Sequence, residues 1–208
     1  MKIKIYSKKE QEQFQQGGFS PLYFLENIIV PNQTHSNNII EIKTWKENLE
    51  NCDWIITPLP TSPLTGERSL KLGIKTADCA AIVFEDEKNY WIIHAGWRGA
   101  VNWIIEKMLE KFENPKIFVA PFLKKFEIQK DFCYDAIFEK FWDKFFSHPQ
   151  PLPTKEGSNK IIFDFESCLK SLLWEQAIFD KRDTLEDNNF YSYRRDKTTK
   201  RNYTVIEK

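Results

Sequence analysis

The sequence predicts an α/β fold with a mixed sheet, and three observations carry the prediction. Short runs rich in β-branched and aromatic residues follow one another with no helix between them, so they pair as neighbours instead of alternating with helices. Three longer segments carry apolar residues at helical spacing. The 208 residues are 41% hydrophobic and 15% aromatic, enough for one domain with a substantial core and too aromatic for disorder.

In chain order, residues 2–6 read as a strand and residues 8–16 as a polar helix stopped by Gly17-Gly18. Residues 28–30 and 39–42 read as short strands around the polar turn Asn32 to Asn37, and residues 53–57 as another. Two strings that share Pro-Leu-Pro-Thr, one near residues 58–68 and one near 148–159, read as inserted surface loops. In the centre, residues 70–75, 80–84 and 90–94 read as three strands, with Asp86 to Asn89 as the hairpin turn between the last two. A helix is expected over 98–112, a buried strand over 117–119 and a second helix over 131–146. That second helix has a stripe of Phe132, Ala136, Phe138, Phe141, Trp142 and Phe145, expected to be core packing. A third helix over 166–177 and a closing strand over 202–206 complete the order.

Bulk composition excludes several functions. Lys+Arg and Asp+Glu both total 30, so no basic excess exists to neutralise nucleic-acid phosphates. The first residues lack the apolar run of a secretory signal, and no stretch has the roughly 18 apolar residues of a membrane span. Cys52, Cys79, Cys133 and Cys168 lie far apart, and in a chain without a secretory signal they read as reduced thiols. The expectation is a cytoplasmic domain working on small molecules.

The three histidines are the informative residues. His148, in Ser147-His148-Pro149, reads as a solvated loop residue. His94 ends a strand and is followed by Ala95-Gly96-Trp97-Arg98-Gly99, which opens a helix. Such a position faces the crevice where α/β proteins bind ligands. The helix start and Arg98 there suit phosphate or carboxylate. Cys79 enters the strand that the hairpin pairs with the His94 strand. A turn centred on Glu87 and Lys88 brings it close to the position facing His94, within the reach of neighbouring strands about 4.8 Å apart. Asp78 beside it is placed to orient a histidine. His35, in Gln33-Thr34-His35-Ser36, is a third candidate that spacing alone does not bring to the other two. One cysteine with two histidines makes a zinc site with an open fourth position, the arrangement of catalytic zinc. The same residues also allow a thiolate nucleophile at Cys79 activated by His94.

Four motifs, Gln33-Thr34-His35-Ser36, Thr76-Ala77-Asp78-Cys79, His94-Ala95-Gly96-Trp97-Arg98-Gly99 and Tyr191-Ser192-Tyr193-Arg194-Arg195, occur in this order. In this the chain resembles the laccase-domain family, the YfiH-like proteins, also described as multicopper polyphenol oxidoreductases or peptidoglycan editing factors. The resemblance runs from about residue 17 to the last residue. It implies one layered α/β/β/α domain over residues 1–208, similar in its core to Rho-deamidating toxins that use a cysteine–histidine pair. It implies Zn2+ held by His35, Cys79 and His94. It also implies phosphorolysis of adenosine, inosine, guanosine or methylthioadenosine, with adenosine deaminase activity alongside. The expected catalytic residues are then Cys79, His94 and Asp78, with Arg98 or Arg195 on phosphate. The expected partners are purine nucleosides and phosphate, with neither nucleic acid nor membrane, for a monomer or small homo-oligomer.

The copper in the family's description is tested by counting. A multicopper oxidase needs several more histidines than three, since even one blue-copper centre takes two histidines and a cysteine. The sequence also departs from the family pattern. Only residues 21–32 separate Gly17-Gly18-Phe19-Ser20 from the first histidine motif. The usual Gly-Pro is Ala120-Pro121, with a shortened loop Phe122 to Lys125 after it. The Cys-Thr before the Tyr-Arg-Arg element is Asp183-Thr184, and the Gly-Arg after it is Lys200-Arg201. Two other readings of the same residues stand beside the phosphorylase. One is a thiol hydrolase or deamidase, acting for instance on a peptidoglycan precursor; the other is a zinc-binding module without turnover.

Overall fold

The computed structural model describes residues 1–17, 28–42, 48–58, 71–87, 89–128, 132–147 and 160–207. Apart from Pro58, the two expected inserted loops lie outside these residues, as does His148. In chain order the first elements are β1 (Lys2–Tyr6), α1 (Lys8–Gln16), β2 (Ile28–Ile29), β3 (Ile39–Glu41), β4 (Trp54–Pro58), β5 (Lys71–Thr76), β6 (Ala80–Glu85) and β7 (Asn89–Ala95). Then come α2 (Trp97–Val101), α3 (Ile104–Leu109), β8 (Lys116–Val119), β9 (Lys125–Ile128), α4 (Phe132–Phe141) and β10 (Phe146–Ser147). The last are β11 (Ile161–Asp164), α5 (Phe165–Leu172), β12 (Ile178–Phe179), α6 (Tyr193–Asp196) and β13 (Asn202–Glu207).

The apolar runs of β6 and β7 place them at the centre of a six-stranded mixed sheet, ordered β12-β8-β6-β7-β4-β3. Both faces of this pair are buried, which is why the runs are nearly continuous rather than alternating. One face, with Ile82, Phe84, Trp91 and Ile93, packs on Ala100, Ile104 and Met108 of α2 and α3 and on Phe163 and Phe165. The other face, with Ala81, Val83, Tyr90 and Ile92, packs on Leu72, Ile74 and Ile206 of a four-stranded sheet ordered β1-β13-β5-β2. A three-stranded sheet, β10-β11-β9, lies on the helix side. Helix α1 follows β1 and is tied down by Gln11, whose side-chain amide donates to the Tyr6 and Arg201 carbonyls at 2.9 and 2.8 Å. The expected mixed α/β architecture is therefore present.

Three of the expected helices end sooner than periodicity suggests. Residues 98–112 form two helices, not one, because Trp103 takes a left-handed backbone (φ 62°) between α2 and α3. The cause is tertiary. The Lys140 ammonium donates to the Ala100 carbonyl (2.6 Å), the one an unbroken helix would give to Ile104. It also pairs with Glu106 at 2.6 Å and lies 4.0 Å from the Trp103 ring centroid. Helix α4 stops where Trp142 turns left-handed (φ 55°), and Phe146 goes on into β10. Its aromatic stripe is not wholly core: Phe145 is buried and Phe141 partly so, whereas Phe132, Phe138 and Trp142 are exposed. Helix α5 ends at Leu172, which frees Ile178 and Phe179 to pair in parallel with β8.

Candidate metal centre

The β6–β7 ladder pairs Ala81 with His94 and Ala80 with Ala95, so Cys79, just before β6, falls opposite Gly96. Cys79 and His94 are thus diagonal neighbours on one face, within the reach the hairpin turn implies. Side chains alternate along a strand, and Ala81, Tyr90 and Ile92 of the same set face the four-stranded sheet. Both residues therefore point into the end of the sandwich, where β5 runs out at Thr76. His35 arrives there from the loop between β2 and β3, in a left-handed conformation (φ 61°). Its Nε2 lies 3.8 Å from the Cys79 Sγ, and its ring centroid lies 4.7 Å from that of His94.

A residue absent from the motif reading assembles this site. Asp53, fully buried just before β4, accepts from His94 Nδ1 at 2.6 Å. The same carboxylate accepts the backbone N–H groups of Thr34 (3.2 Å), His35 (3.0 Å) and Ser36 (2.6 Å), and the Ser36 hydroxyl at 2.8 Å. One carboxylate thus fixes the His94 ring and the loop that carries His35. With Nδ1 engaged, His94 presents Nε2 to the site, the arrangement usual for metal-binding histidines. The loop is pinned a second time by Gln33, whose side chain accepts from the Lys75 N–H (2.9 Å) and donates to the Lys75 carbonyl (2.8 Å). The available sequence signal was an acidic residue beginning the strand that pairs with the His94 strand.

The electrostatics favour the ligand form of the Cys79 thiol and the protonated form of the His94 ring. Burial pushes the Cys79 thiol up, but the His94 charge and contacts from both histidines outweigh it and leave the thiol at about 6. Burial pushes His94 down, while Cys79 and Asp53 pull it the other way, to about 9. Burial raises Asp53, yet its bonds from His94 and Ser36 bring it to about 2. The site is thus a thiolate beside an imidazolium backed by a carboxylate, and a cation would take the place of the imidazolium's outer proton.

The donor atoms of His35, Cys79 and His94 all lie within 4.8 Å of one another, so the group could hold a metal ion. The His35–Cys79 separation is within the roughly 4.3 Å spanned by metal bonds of about 2.0 and 2.3 Å to nitrogen and sulfur. Gly96 supports the fit. A Cβ there would stand 2.8 Å from the Cys79 Sγ, so only glycine leaves the sulfur in place.

The site opens into a cavity of about 1120 Å³ that reaches Gln11 and Gln15 of α1 and the turn before β13. Arg98 lines it, with its guanidinium 5.3 Å from the Trp97 ring centroid and 5.8 Å from that of Phe132. Helix α2 has only five residues, so the dipole expected at its start is small and the Arg98 guanidinium is the main positive group there. Arg195 does not line the cavity. Its guanidinium donates to Asp196 and to the Thr184, Leu185 and Phe190 carbonyls, which uses all five N–H groups. Its neighbour Arg194 does line the cavity. Asp78 lines it too but touches no histidine; it accepts from the Thr184 hydroxyl (3.0 Å) and the Arg194 N–H (2.7 Å). It thereby ties the loop before Cys79 to α6.

The chain is similar to known proteins in sequence and in fold. The chain is 30% identical over 193 residues to a purine nucleoside phosphorylase of Aquifex aeolicus, covering 87% of this chain and 82% of that protein. It is 26% identical over 171 residues to a purine nucleoside phosphorylase of Rickettsia prowazekii, covering 78% of this chain and 66% of the relative. Its fold matches a crystal structure of a Neisseria meningitidis protein with a TM-score of 0.68 at 21% identity, over 95% of this chain and 78% of that one. No helix among the described residues is long and apolar enough to cross a membrane. The family model described as multi-copper polyphenol oxidoreductase laccase matches residues 12–208, and the chain belongs to that family.

Proposed function

We propose that this chain is a purine nucleoside phosphorylase working at a zinc site made by His35, Cys79 and His94. The observation that carries the reading is the ligand group itself, held open by Asp53 and Gly96 at the floor of a cavity with Arg98 and Arg194 on its wall. The names of the two relatives support it. Two imidazoles and a thiolate with an open position suit a catalytic zinc, and three histidines fall short of the set a multicopper oxidase needs.

The reaction breaks the glycosidic C1′–N bond of the nucleoside and forms a C1′–O bond to phosphate, and the proton that hydrogen phosphate gives up goes to the departing base. Zinc, when bound, supplies Lewis acidity toward a substrate oxygen. The protein's own contribution is positioning and charge. Arg98 and Arg194 hold the phosphate dianion against the sugar, Asp53 keeps His94 in one tautomer, and Asp78 fixes α6 and so Arg194. Asp78 is in this respect a positioning residue.

A second reading has a specific observation behind it. Without metal, Cys79, His94 and Asp53 form a thiolate–imidazolium–carboxylate chain, as a thiol hydrolase would use. One experiment separates the two: metal analysis of the purified chain, then incubation with adenosine or inosine with and without phosphate. Zinc near one per chain and base release only with phosphate is the expected result. Zinc without base release sinks the phosphorylase. Activity that survives a chelator and dies on thiol alkylation moves the assignment to the Cys79–His94 pair.

A further inference from the structure

The chain is neutral as a whole, with 30 basic and 30 acidic residues, yet its cavity is not. Beyond Arg98 and Arg194 it is lined by Lys75, Lys197, Lys200 and Arg201, and the one carboxylate among the described lining residues is Asp78. Asp78 is already engaged by Thr184 and the Arg194 N–H. Among the described residues no ion pair involves these four cations, whereas Lys71, Lys125, Lys140 and Lys170 all find carboxylates. Unpaired like charges gathered in one concavity repel each other, and an anionic ligand relieves that repulsion.

The four also stand together on one side. Lys75 faces Tyr203 across the β5–β13 ladder. Lys200 and Arg201 lead into β13, and the Arg201 carbonyl is held by Gln11. Lys197 caps α6 with its ammonium 5.5 Å from the Tyr193 ring centroid, and Lys200 lies 5.8 Å from that of Tyr191. They form a wall on the β13 side of the metal-ligand loop. A nucleoside is neutral, and a single phosphate dianion is matched by Arg98 and Arg194. Four more cations exceed what those two substrates use. The cavity of about 1120 Å³ also reaches beyond the usual range of roughly 300–1000 Å³ for small-ligand sites.

We propose that this cavity takes purine nucleoside 5′-phosphates, a nucleoside diphosphate above all, with the phosphoryl groups against Lys75, Lys197, Lys200 and Arg201. The base assignment rests on the purine nucleoside reading above; the phosphoryl wall rests on the charge distribution alone.

The test is calorimetric binding of adenosine, AMP, ADP and inorganic pyrophosphate to the zinc-loaded full chain at low and high salt. ADP is expected to bind at least tenfold more tightly than adenosine, with the advantage shrinking at high salt. K197Q/K200Q is expected to cut that ratio at least threefold with zinc content retained. The single variant Lys75→Gln, on a different element, should reduce the ratio as well if the double variant fails to fold. Equal binding of adenosine and ADP overturns the proposal, as does a ratio that survives these substitutions. Tight ADP binding without base release from adenosine supports the wall and sinks the phosphorylase; base release with equal binding does the reverse. Pyrophosphate binding as tightly as ADP overturns the purine part.

Discussion

The floor and the wall of the cavity are built on different principles. At the floor, His35, Cys79 and His94 are held by a buried carboxylate, a two-point amide contact from Gln33 and a glycine that leaves room for sulfur. On the wall, Arg98 and Arg194 reach out from α2 and α6 as exposed side chains, both steadied by aromatic rings and Arg194 also by donating to the Glu127 carbonyl. A site made of interlocked buried groups fails as a unit, because each loss leaves another buried polar atom unsatisfied. A wall of solvated cations loses function by degrees, since water replaces what is removed. Substitutions should therefore fall into two classes of size, and the order of their effects tests the contrast.

The largest effect is expected from Asp53→Ala. It strips the acceptor from His94 and from three backbone N–H groups of the His35 loop at once. Breaking a buried charged contact of this kind costs about 3 to 5 kcal/mol. The variant should lose both zinc and a large part of its stability, read by metal analysis and by the urea midpoint. Zinc retained at one per chain would remove Asp53 from the centre of the site and with it the floor's distinctness.

Gly96→Ala comes next and isolates geometry from charge. Gly96 has an ordinary extended backbone (φ −90°), so alanine brings no backbone strain, only a methyl 2.8 Å from the Cys79 sulfur. The sulfur must move, and zinc affinity should fall on the order of 10-fold or more, measured by competition with a chromogenic chelator. An unchanged affinity would mean that Cys79 has slack and that the floor is less tightly built than the wild-type contacts imply.

The same contrast explains what could be read before the structure. β1 and α1 occupy the expected residues, and the β6–β7 register puts Cys79 and His94 on one face, because hydrophobic periodicity and turn position are local properties of the chain. Asp53 was not legible, since a single acidic residue at a strand's start carries no spacing signal and acts only through tertiary contacts. The α2–α3 break was hidden for a similar reason: the helical pattern runs straight through Trp103, and the interruption comes from Lys140 on another helix. The exposed part of the α4 stripe follows from which face of the helix the core takes, a choice apolar content alone does not make. Between Arg194 and Arg195, adjacent on a four-residue helix, a motif match cannot say which side chain enters the cavity.

That last ambiguity supplies the third test. Arg98→Ala should raise the phosphate KM by about 10-fold, the loss of one charge-assisted contact, with zinc content and melting temperature held. Arg195→Ala should do the opposite, lowering the melting temperature because three carbonyls lose their donor while the phosphate KM stays put. If Arg195→Ala raised the phosphate KM at unchanged stability, the assignment of the wall to Arg98 and Arg194 would have to be reversed.

The smallest effect probes how the wall is supported. Phe132 is 62% exposed, and its ring centroid lies 5.8 Å from the Arg98 guanidinium, so it steadies that side chain with little burial of its own. Exposed cation–π contacts are worth about 0.5 to 1 kcal/mol. Phe132→Leu keeps an apolar residue at the start of α4 but removes the ring. It should raise the phosphate KM by about 2- to 5-fold, since 1.4 kcal/mol corresponds to tenfold, and leave kcat, zinc content and stability where they were. A change in zinc content would show that α4 bears on the floor through α2 and that the two regions are mechanically one. A KM shift without it keeps them separate, with the floor deciding whether the site exists and the wall deciding how well it holds an anion.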